Sequence, residues 1–336
     1  MDRIAFIVGE NFIFWSPIIL ALAALAACCC FVGFYLSRSG NGIGAFLAVP
    51  VAFVLSMFLS RLVHWYCRTD SYSSFEVAVG DFTIGGYALV GVFAGCILTA
   101  CLLRLVRITK DLPEMLDCMS LAGALGMTVG RLASLFNSSD RGDVISEAVG
   151  LPWVYPVVNS VTGELEYRLA TFMLQSIVSG VIFLLLVVFW LLMKKRGRSG
   201  DTCLLFLLAH GAAQILFDST RYDALYLRSN GFVSMVQIAG AVAVVFAIVM
   251  FSVRLVRCRK WSPMYLVFWM PILILLGVAG YMEYYVQRHG DQAAFAYGMM
   301  GVSLLGVVLL GVELYTMAII GENKKRALQK KEAAKV

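Results

Sequence analysis

Apolar runs of about 20 residues recur along this chain, the length at which a helix rising about 1.5 Å per residue crosses a hydrocarbon core. Nine can be placed: Phe12 to Leu36, Ala45 to Tyr66, Ile84 to Leu105, Leu112 to Phe136, Ala170 to Met193, Cys203 to Phe217, Phe232 to Val256, Met264 to Tyr285 and Ala296 to Ile320. Only 14% of the 336 residues are charged and 60% are hydrophobic, against roughly 25% charged in a soluble domain. Water is therefore not the main solvent, and the pattern predicts an all-α integral membrane protein. The fourth run carries Glu114, Asp117 and Arg131, and the sixth is short. For these two an interfacial or partly re-entrant placement stays open.

Basic residues orient the spans, because Lys and Arg near helix ends stay on the cytoplasmic side. With the N-terminus outside, five groups fall inside. They are Arg38; Arg104, Arg107 and Lys110; Lys194, Lys195, Arg196 and Arg198; Arg254, Arg257, Arg259 and Lys260; and the tail from Lys324 to Lys335. Together they make up two-thirds of the 27 basic residues. The net charge of +6 thus follows from topology and is not a nucleic-acid footprint. Asp2 and Arg3 precede a stretch too long for a signal-peptide core, so the first helix is read as uncleaved. The nine cysteines show no metal-ligand or redox-motif spacing.

Ionisable groups within spans are costly, and each is a functional candidate. In this orientation the second, fourth and sixth helices run outward, and their polar residues sit at the outward ends. Arg61 and His64 end the second; Arg131, Ser134 and Asn137 end the fourth; Gln214, Asp218 and Arg221 end the sixth. The third helix begins with Gly85 and Gly86, the seventh with Ser234 and Gln237. His210, Gln214, Asp218 and Arg221 follow at spacings of four, four and three, so they share one helix face. Arg61 is also able to snorkel to the outer headgroups. Gly123, Gly126 and Gly130 suit close helix packing. The connection from Asn137 to Arg168, with Pro152, Pro156 and Gly163 as breakers, is long enough to cap the outer surface, and Gly142 is placed to shape it. The residues alone imply an outward-facing, positively charged pocket for an anionic phospholipid or another phosphate-bearing amphiphile. They do not name a reaction.

The stretch Gly130-Arg131-Leu132-Ala133-Ser134-Leu135-Phe136-Asn137-Ser138-Ser139-Asp140-Arg141-Gly142 resembles the signature of bacterial prolipoprotein diacylglyceryl transferase, G-R-x-G-N-F-x-N-G-E-x-x-G. Asn11-Phe12-Ile13-Phe14-Trp15 is similar to the family's opening segment, Ser60-Arg61-Leu62 to its A-R-L element, and Ile84-Gly85-Gly86 to its H-G-G element. Gln214 to Arg221 resembles its R-x-x-x-E-x-x-R helix, and Ser234-Met235-Val236-Gln237 its S-M-G-Q. The chain departs from the family at Ile84 for His, Gln214 for Arg, Ser134 for Asn and Ser139 for Glu; Asp140 neighbours the lost Glu.

The resemblance implies transfer of a diacylglyceryl group from phosphatidylglycerol to the lipobox cysteine thiol of a prolipoprotein, at the outer face of the bacterial cytoplasmic membrane. A thioether forms and glycerol phosphate leaves, with no metal or soluble cofactor required. It places Arg131 on the lipid phosphate, with Ser134, Asn137, Gly142, Arg61, Gly85, Gly86 and Gln214 completing the substrate site. Asp218 and Arg221 orient that site, and His210 is the expected base. Residues 1–260 form the expected seven-helix transferase-like core, 261–320 two additional C-terminal transmembrane helices, and 321–336 a basic cytoplasmic tail. Two other readings stay open: a catalytically inactive or re-purposed lipid-binding paralogue, and a small-molecule transporter. The mostly apolar inner halves of the spans count against transport.

Overall fold

Inside a hydrocarbon layer each backbone N–H and C=O must be satisfied within its own segment, and the apolar runs do form helices. The computed structural model describes residues 4–9, 11–81, 85–137, 139–142, 144, 154–158, 162–193, 198–228, 230–259, 265–289 and 292–333. Asp2, Arg3, Ile84, Ser138, Pro152, Lys194, Lys195, Arg196, Lys260, Met264 and Lys335, named above, lie outside them. An antiparallel hairpin, β1 (Ile4–Val8) and β2 (Asn11–Phe14), leads into α1 (Trp15–Ser39) and α2 (Gly42–Cys67). A 3₁₀ turn at Thr69–Ser71 and the short α3 (Phe75–Gly80) precede α4 (Leu89–Leu105) and α5 (Leu112–Gly130), which continues as a 3₁₀ turn, Arg131–Leu135. The hairpin β3 (Val154–Val158) and β4 (Leu165–Leu169) then leads to α6 (Thr171–Met193) and α7 (Asp201–Ser219). The hairpin β5 (Tyr226–Leu227) and β6 (Asn230–Ser234) leads to α8 (Met235–Arg259), α9 (Leu266–Arg288) and α10 (Ala293–Ala333).

Among the described residues, eight helices are long and apolar enough to cross a membrane, and α4 is a shorter apolar helix of 17 residues. The protein is an all-α integral membrane protein. The boundaries differ from expectation in ways that have local causes. The helix expected from Ile84 starts at Leu89, because Gly85 and Gly86 carry a coil with Gly86 at φ 116°. Phe232 to Ser234, placed in the seventh span, belong to β6. The last helix passes Ile320 and runs to Ala333, since its Lys, Ala and Glu residues are good helix formers.

The two runs left open are both full helices, and their polar residues account for one another. Asp117 of α5 accepts from the backbone N–H of Gly200 at 2.7 Å and of Cys203 at 2.8 Å. It therefore serves the otherwise unsatisfied first turn of α7. Arg38 lies 3.9 Å from Asp117 and 4.0 Å from Glu114.

Two units are distinguishable by internal packing, residues 1–206 with 217–239, and residues 207–216 with 240–336. In the first, α1, α2, α4 and α5 meet around Phe31, Tyr35, Ala48, Leu103, Met115 and Cys118. Its tightest crossing lies between α2 and α4. A Cβ on Gly91 would come within 2.4 Å of the Ser60 backbone, and one on Gly95 within 2.5 Å of Ser56. Ser56 and Ser60 donate across the seam to the carbonyls of Val92, at 3.0 Å, and Ala88, at 2.9 Å. Small residues with a hydroxyl link hold membrane helices close in this way. Gly123, Gly126 and Gly130 also face neighbouring helices, but their contacts start at 3.3 Å or beyond. In the second unit the backbones of Gly211 and Gly240 touch, α9 packs along α10, and Trp269 donates to Ser252 at 3.1 Å.

Candidate functional site

The 3₁₀ turn that extends α5 puts Arg131 and Ser134 beside a tight bend at Asp140. Asp140 has φ 56°, a left-handed conformation that Asp tolerates better than most residues. Both of its backbone groups are held: its N–H donates to Asp223 Oδ2 at 3.0 Å, and its carbonyl accepts from Phe172 N at 3.1 Å. The bend aims its carboxylate into a cluster of arginines. Arg131 Nη1 lies 2.5 Å from Oδ1, Arg221 Nη2 lies 2.8 Å from the same oxygen, and Ser134 donates to Oδ2 at 2.8 Å.

Arg221 is the hub of this cluster. Besides Asp140 it contacts Asp218 at 3.2 Å and Asp223 at 2.9 Å, with its Nε donating to Asp223 at 3.0 Å. The Ser234 hydroxyl donates to Asp218. Ser234 is fixed in turn by a reciprocal cap at the start of α8, its N–H donating to Gln237 Oε1 at 2.9 Å and its Oγ accepting from Gln237 N at 3.1 Å. The Ser-Met-Val-Gln stretch thus positions Asp218.

Gly142 sits where three segments converge. It forms a bridge with Arg221, and its N–H donates to Leu169 O at 2.9 Å. A Cβ there would come within 2.8 Å of Leu169 and Thr171 and 3.0 Å of Thr220 O. The connection expected to cap the surface is therefore anchored through Gly142 to the β3–β4 hairpin. Asn137 holds the other end of the bend. Its Nδ2 donates to Ser16 at the start of α1 at 2.9 Å, and its Oδ1 accepts from the Ser139 N–H at 2.9 Å.

Burial alone would push the Asp140 carboxyl up, but the guanidiniums of Arg131 and Arg221 and the Ser134 hydroxyl outweigh it and hold the group at about 2. A depressed folded-state value contributes stability that is complete above the unfolded value near 3.8 and is lost as pH falls through about 2. The shift corresponds to about 2 kcal/mol. Thermal melts of wild type and Asp140→Asn in detergent should differ most above pH 4 and converge as pH falls toward 2. A gap that stays constant down to pH 2 would show that Asp140 does not titrate with the cluster.

The described part of this cluster is balanced in charge: Arg131, Arg141 and Arg221 stand against Asp140, Asp218 and Asp223. This corrects the expectation of a simply positive pocket. Three of the six side chains were not assigned from the sequence. Asp223 has a local signal, two residues beyond Arg221. Arg141, only 4% exposed, donates to the carbonyls of Ser134 at 3.3 Å and Asn137 at 2.7 Å, and stacks over Tyr155 at 4.5 Å. No local pattern announces that contact. Asp140 was marked only as the neighbour of a lost Glu.

A second group forms at the end of α2. Arg61 does not snorkel; it is 1% exposed. Its guanidinium donates to the carbonyls of Asp81 at 2.6 Å, Gly85 at 3.2 Å and Gly86 at 3.1 Å, and lies 5.2 Å from the rings of both Tyr72 and Tyr87. Carbonyl oxygens inside the protein satisfy it better than a long reach to water. Beside it, a cavity of about 290 Å³ is lined by Phe53, Val54, Met57, Phe58, Arg61 and Val79. Helix α2 also touches β5, which follows the Arg221 to Asp223 segment.

The structure thus gathers Arg131, Ser134, Asn137, Gly142, Asp218 and Arg221 in one cluster, and Arg61, Gly85 and Gly86 in another. His210 and Gln214 are each 4% exposed on α7, two turns and one turn before Asp218, in the stretch that belongs to the second unit.

These residues lie within the part of the chain that known proteins share. A phosphatidylglycerol–prolipoprotein diacylglyceryl transferase of Finegoldia magna is 26% identical over 263 residues, covering 76% of this chain and 98% of that protein. Proteins of the same name from Bacillus licheniformis and Staphylococcus saprophyticus are 23% and 22% identical, covering 77% and 79% of this chain and 95% and 93% of their own lengths. The sequence model of the family described as prolipoprotein diacylglyceryl transferase matches residues 3–253, a span that holds both clusters, and the chain belongs to that family.

Proposed function

We propose that this protein transfers a diacylglyceryl group from phosphatidylglycerol to the cysteine thiol of a prolipoprotein lipobox. The observation that carries this reading is the Arg131–Asp140–Arg221 cluster, built from the same stretches that the family match covers. The sulfur displaces glycerol phosphate at the glyceryl carbon: an S–C bond forms, a C–O bond breaks, and the thiol proton passes to a base. The leaving group gains negative charge, which preorganised donors stabilise.

Arg131 supplies those donors. Its Nη1 is engaged by Asp140, while its Nε is buried with no protein partner among the described residues. A guanidinium fork suits a phosphate oxygen pair. Ser134 and Asp140 hold Arg131 in place, Asn137 and Gly142 shape the bend, and Asp218 and Arg221 brace it. Arg61, through the carbonyls of Gly85 and Gly86, braces the second cluster, and Gln214 lines α7. For the base the sequence offers His210, and the structure offers His64.

We take residues 1–260 as the transferase core, 261–320 as two added spans and 321–336 as a basic tail. The basic loops support a cytoplasmic C-terminus, an outer N-terminus and residence in the bacterial cytoplasmic membrane, with both clusters toward the outer face, where a secreted prolipoprotein meets lipid.

Expression in bacteria depleted of their own transferase tests the reading. A reporter prolipoprotein should become lipidated, and the purified chain should release glycerol phosphate when phosphatidylglycerol is the only donor. An unmodified reporter despite normal membrane expression would overturn it.

A further inference from the structure

We propose that His64 is the general base that takes the thiol proton, and that Tyr72 holds its ring in the competent tautomer; this rests on the function proposed above. The stretch Ile84-Gly85-Gly86 brings no histidine of its own, yet the fold sets Gly86 against one. Gly86 has φ 116°, and a Cβ there would lie 2.5 Å from His64 Cε1 and 2.7 Å from both His64 Nδ1 and the Tyr72 hydroxyl. Only glycine meets both demands, on the backbone and on the space. His64 follows Arg61 by three residues, so both project from the same face of α2.

The hydrogen bonds of Tyr72 select the tautomer. A phenol has one proton to give and two lone pairs to receive with. The Tyr72 oxygen lies 3.3 Å from Arg61 Nη1, 2.7 Å from His64 Nδ1 and 3.4 Å from Gly85 O. Arg61 can only donate and Gly85 O can only accept. The arrangement that satisfies all three has Tyr72 donating to Gly85 O and accepting from Arg61 and from His64 Nδ1–H. The lone pair of the imidazole then lies on Nε2, which has no hydrogen-bond partner among the described residues. This is the geometry of an oriented base: one ring nitrogen pinned, the other available.

The surroundings fit the reaction. The ring is half-buried, and the charged groups acting on it are Arg61 and Arg68, with the Tyr72 phenol as its neutral neighbour. The apolar cavity that includes Arg61 offers space for an acyl chain one turn along the same helix. The other histidines are less suited. His210 is 4% exposed in the middle of α7, and His289 stacks on Tyr285 beyond the end of α9, at 4.4 Å between ring centres. In the transfer step the thiol proton goes to His64 Nε2 as the S–C bond forms, and the imidazolium keeps its Nδ1–H on Tyr72.

Rates of lipobox-peptide modification by the full-length protein in phosphatidylglycerol-containing nanodiscs, measured across pH, test the assignment. Wild type should show an acidic limb as the base protonates. His64→Gln should lower kcat/KM by about 10²- to 10⁴-fold and abolish that limb, while His289→Gln leaves both unchanged. Tyr72→Phe, which keeps the ring and removes the hydroxyl, should move the limb and lower kcat with KM for the lipid unaltered. A His64→Gln protein within threefold of wild type, or one that is slow but keeps the same limb, overturns the assignment and leaves the transferase function standing. A wild-type protein with no activity overturns both.

Discussion

Arg221→Met should destabilise the protein by about 3 to 5 kcal/mol, the cost of removing one partner from a buried ion pair. Its side chain is 13% exposed and sits among Asp140, Asp218 and Asp223 at 2.8 to 3.2 Å. Without it, Asp218, whose side chain is 1% exposed, would keep the Ser234 hydroxyl as its one hydrogen-bond partner among the described residues, with Arg131 acting on it only at longer range. Asp140 would keep Arg131, and Asp223, the most exposed of the three, would lose least. The loss should therefore be traced mainly to Asp218. Adding Asp218→Asn to Arg221→Met should recover a large part of the stability, because the orphaned charge is gone, whereas adding Asp223→Asn should recover little. Thermal melts of wild type and these three variants in one detergent decide it. Equal melting of Arg221→Met and wild type would show that the cluster contributes no net stability.

Arg131→Ala should behave in the opposite way, with transfer falling by about 10²- to 10³-fold, the usual cost of one preorganised donor, and stability by about 1 kcal/mol. Asp140 would keep Arg221 at 2.8 Å and Ser134 at 2.8 Å, so no buried carboxylate is left alone. What disappears is the donor that has no protein partner among the described residues, Nε, together with the fork that would hold a phosphate. Arg131→Lys should restore charge without restoring the rate, since an ammonium cannot present two parallel N–H groups. Initial rates of glycerol phosphate release, read beside melting curves of the same preparations, separate the two contributions. A rate within a few-fold of wild type would remove Arg131 from the headgroup site.

The resemblance assigned these arginines different tasks, but the chain itself, where both simply end helices, did not show which carboxylates each would meet. Arg61 makes the same point. At a helix end a long cationic side chain suits snorkelling, but the coil at Gly85 and Gly86 brings carbonyls close enough to take its protons inside. The reading of His210 as base came from its spacing on α7, and spacing reports only neighbours three or four residues away. His64 and Gly86 are 22 positions apart, and no periodicity joins them.

What the sequence determined by itself were the properties that sum over many residues. Among the described residues each of the nine apolar runs forms a helix, eight of them long enough to cross a membrane, because span length and backbone satisfaction leave few alternatives in lipid. Membership of the family was legible in short stretches such as Gly130-Arg131 and Gly142. The tertiary structure alone decided which groups meet: the Asp140 backbone N–H with the Asp223 carboxylate across 83 positions, Arg131 with a bend whose backbone turns left-handed, and Tyr72 between Arg61 and His64. A side chain's own segment sets where it starts. Its partner depends on how the helices pack, and glycines such as Gly91, Gly95 and Gly142 set how closely the backbones approach. Those close approaches lie beyond any local pattern, and they separate a paired arginine from one with a donor to spare.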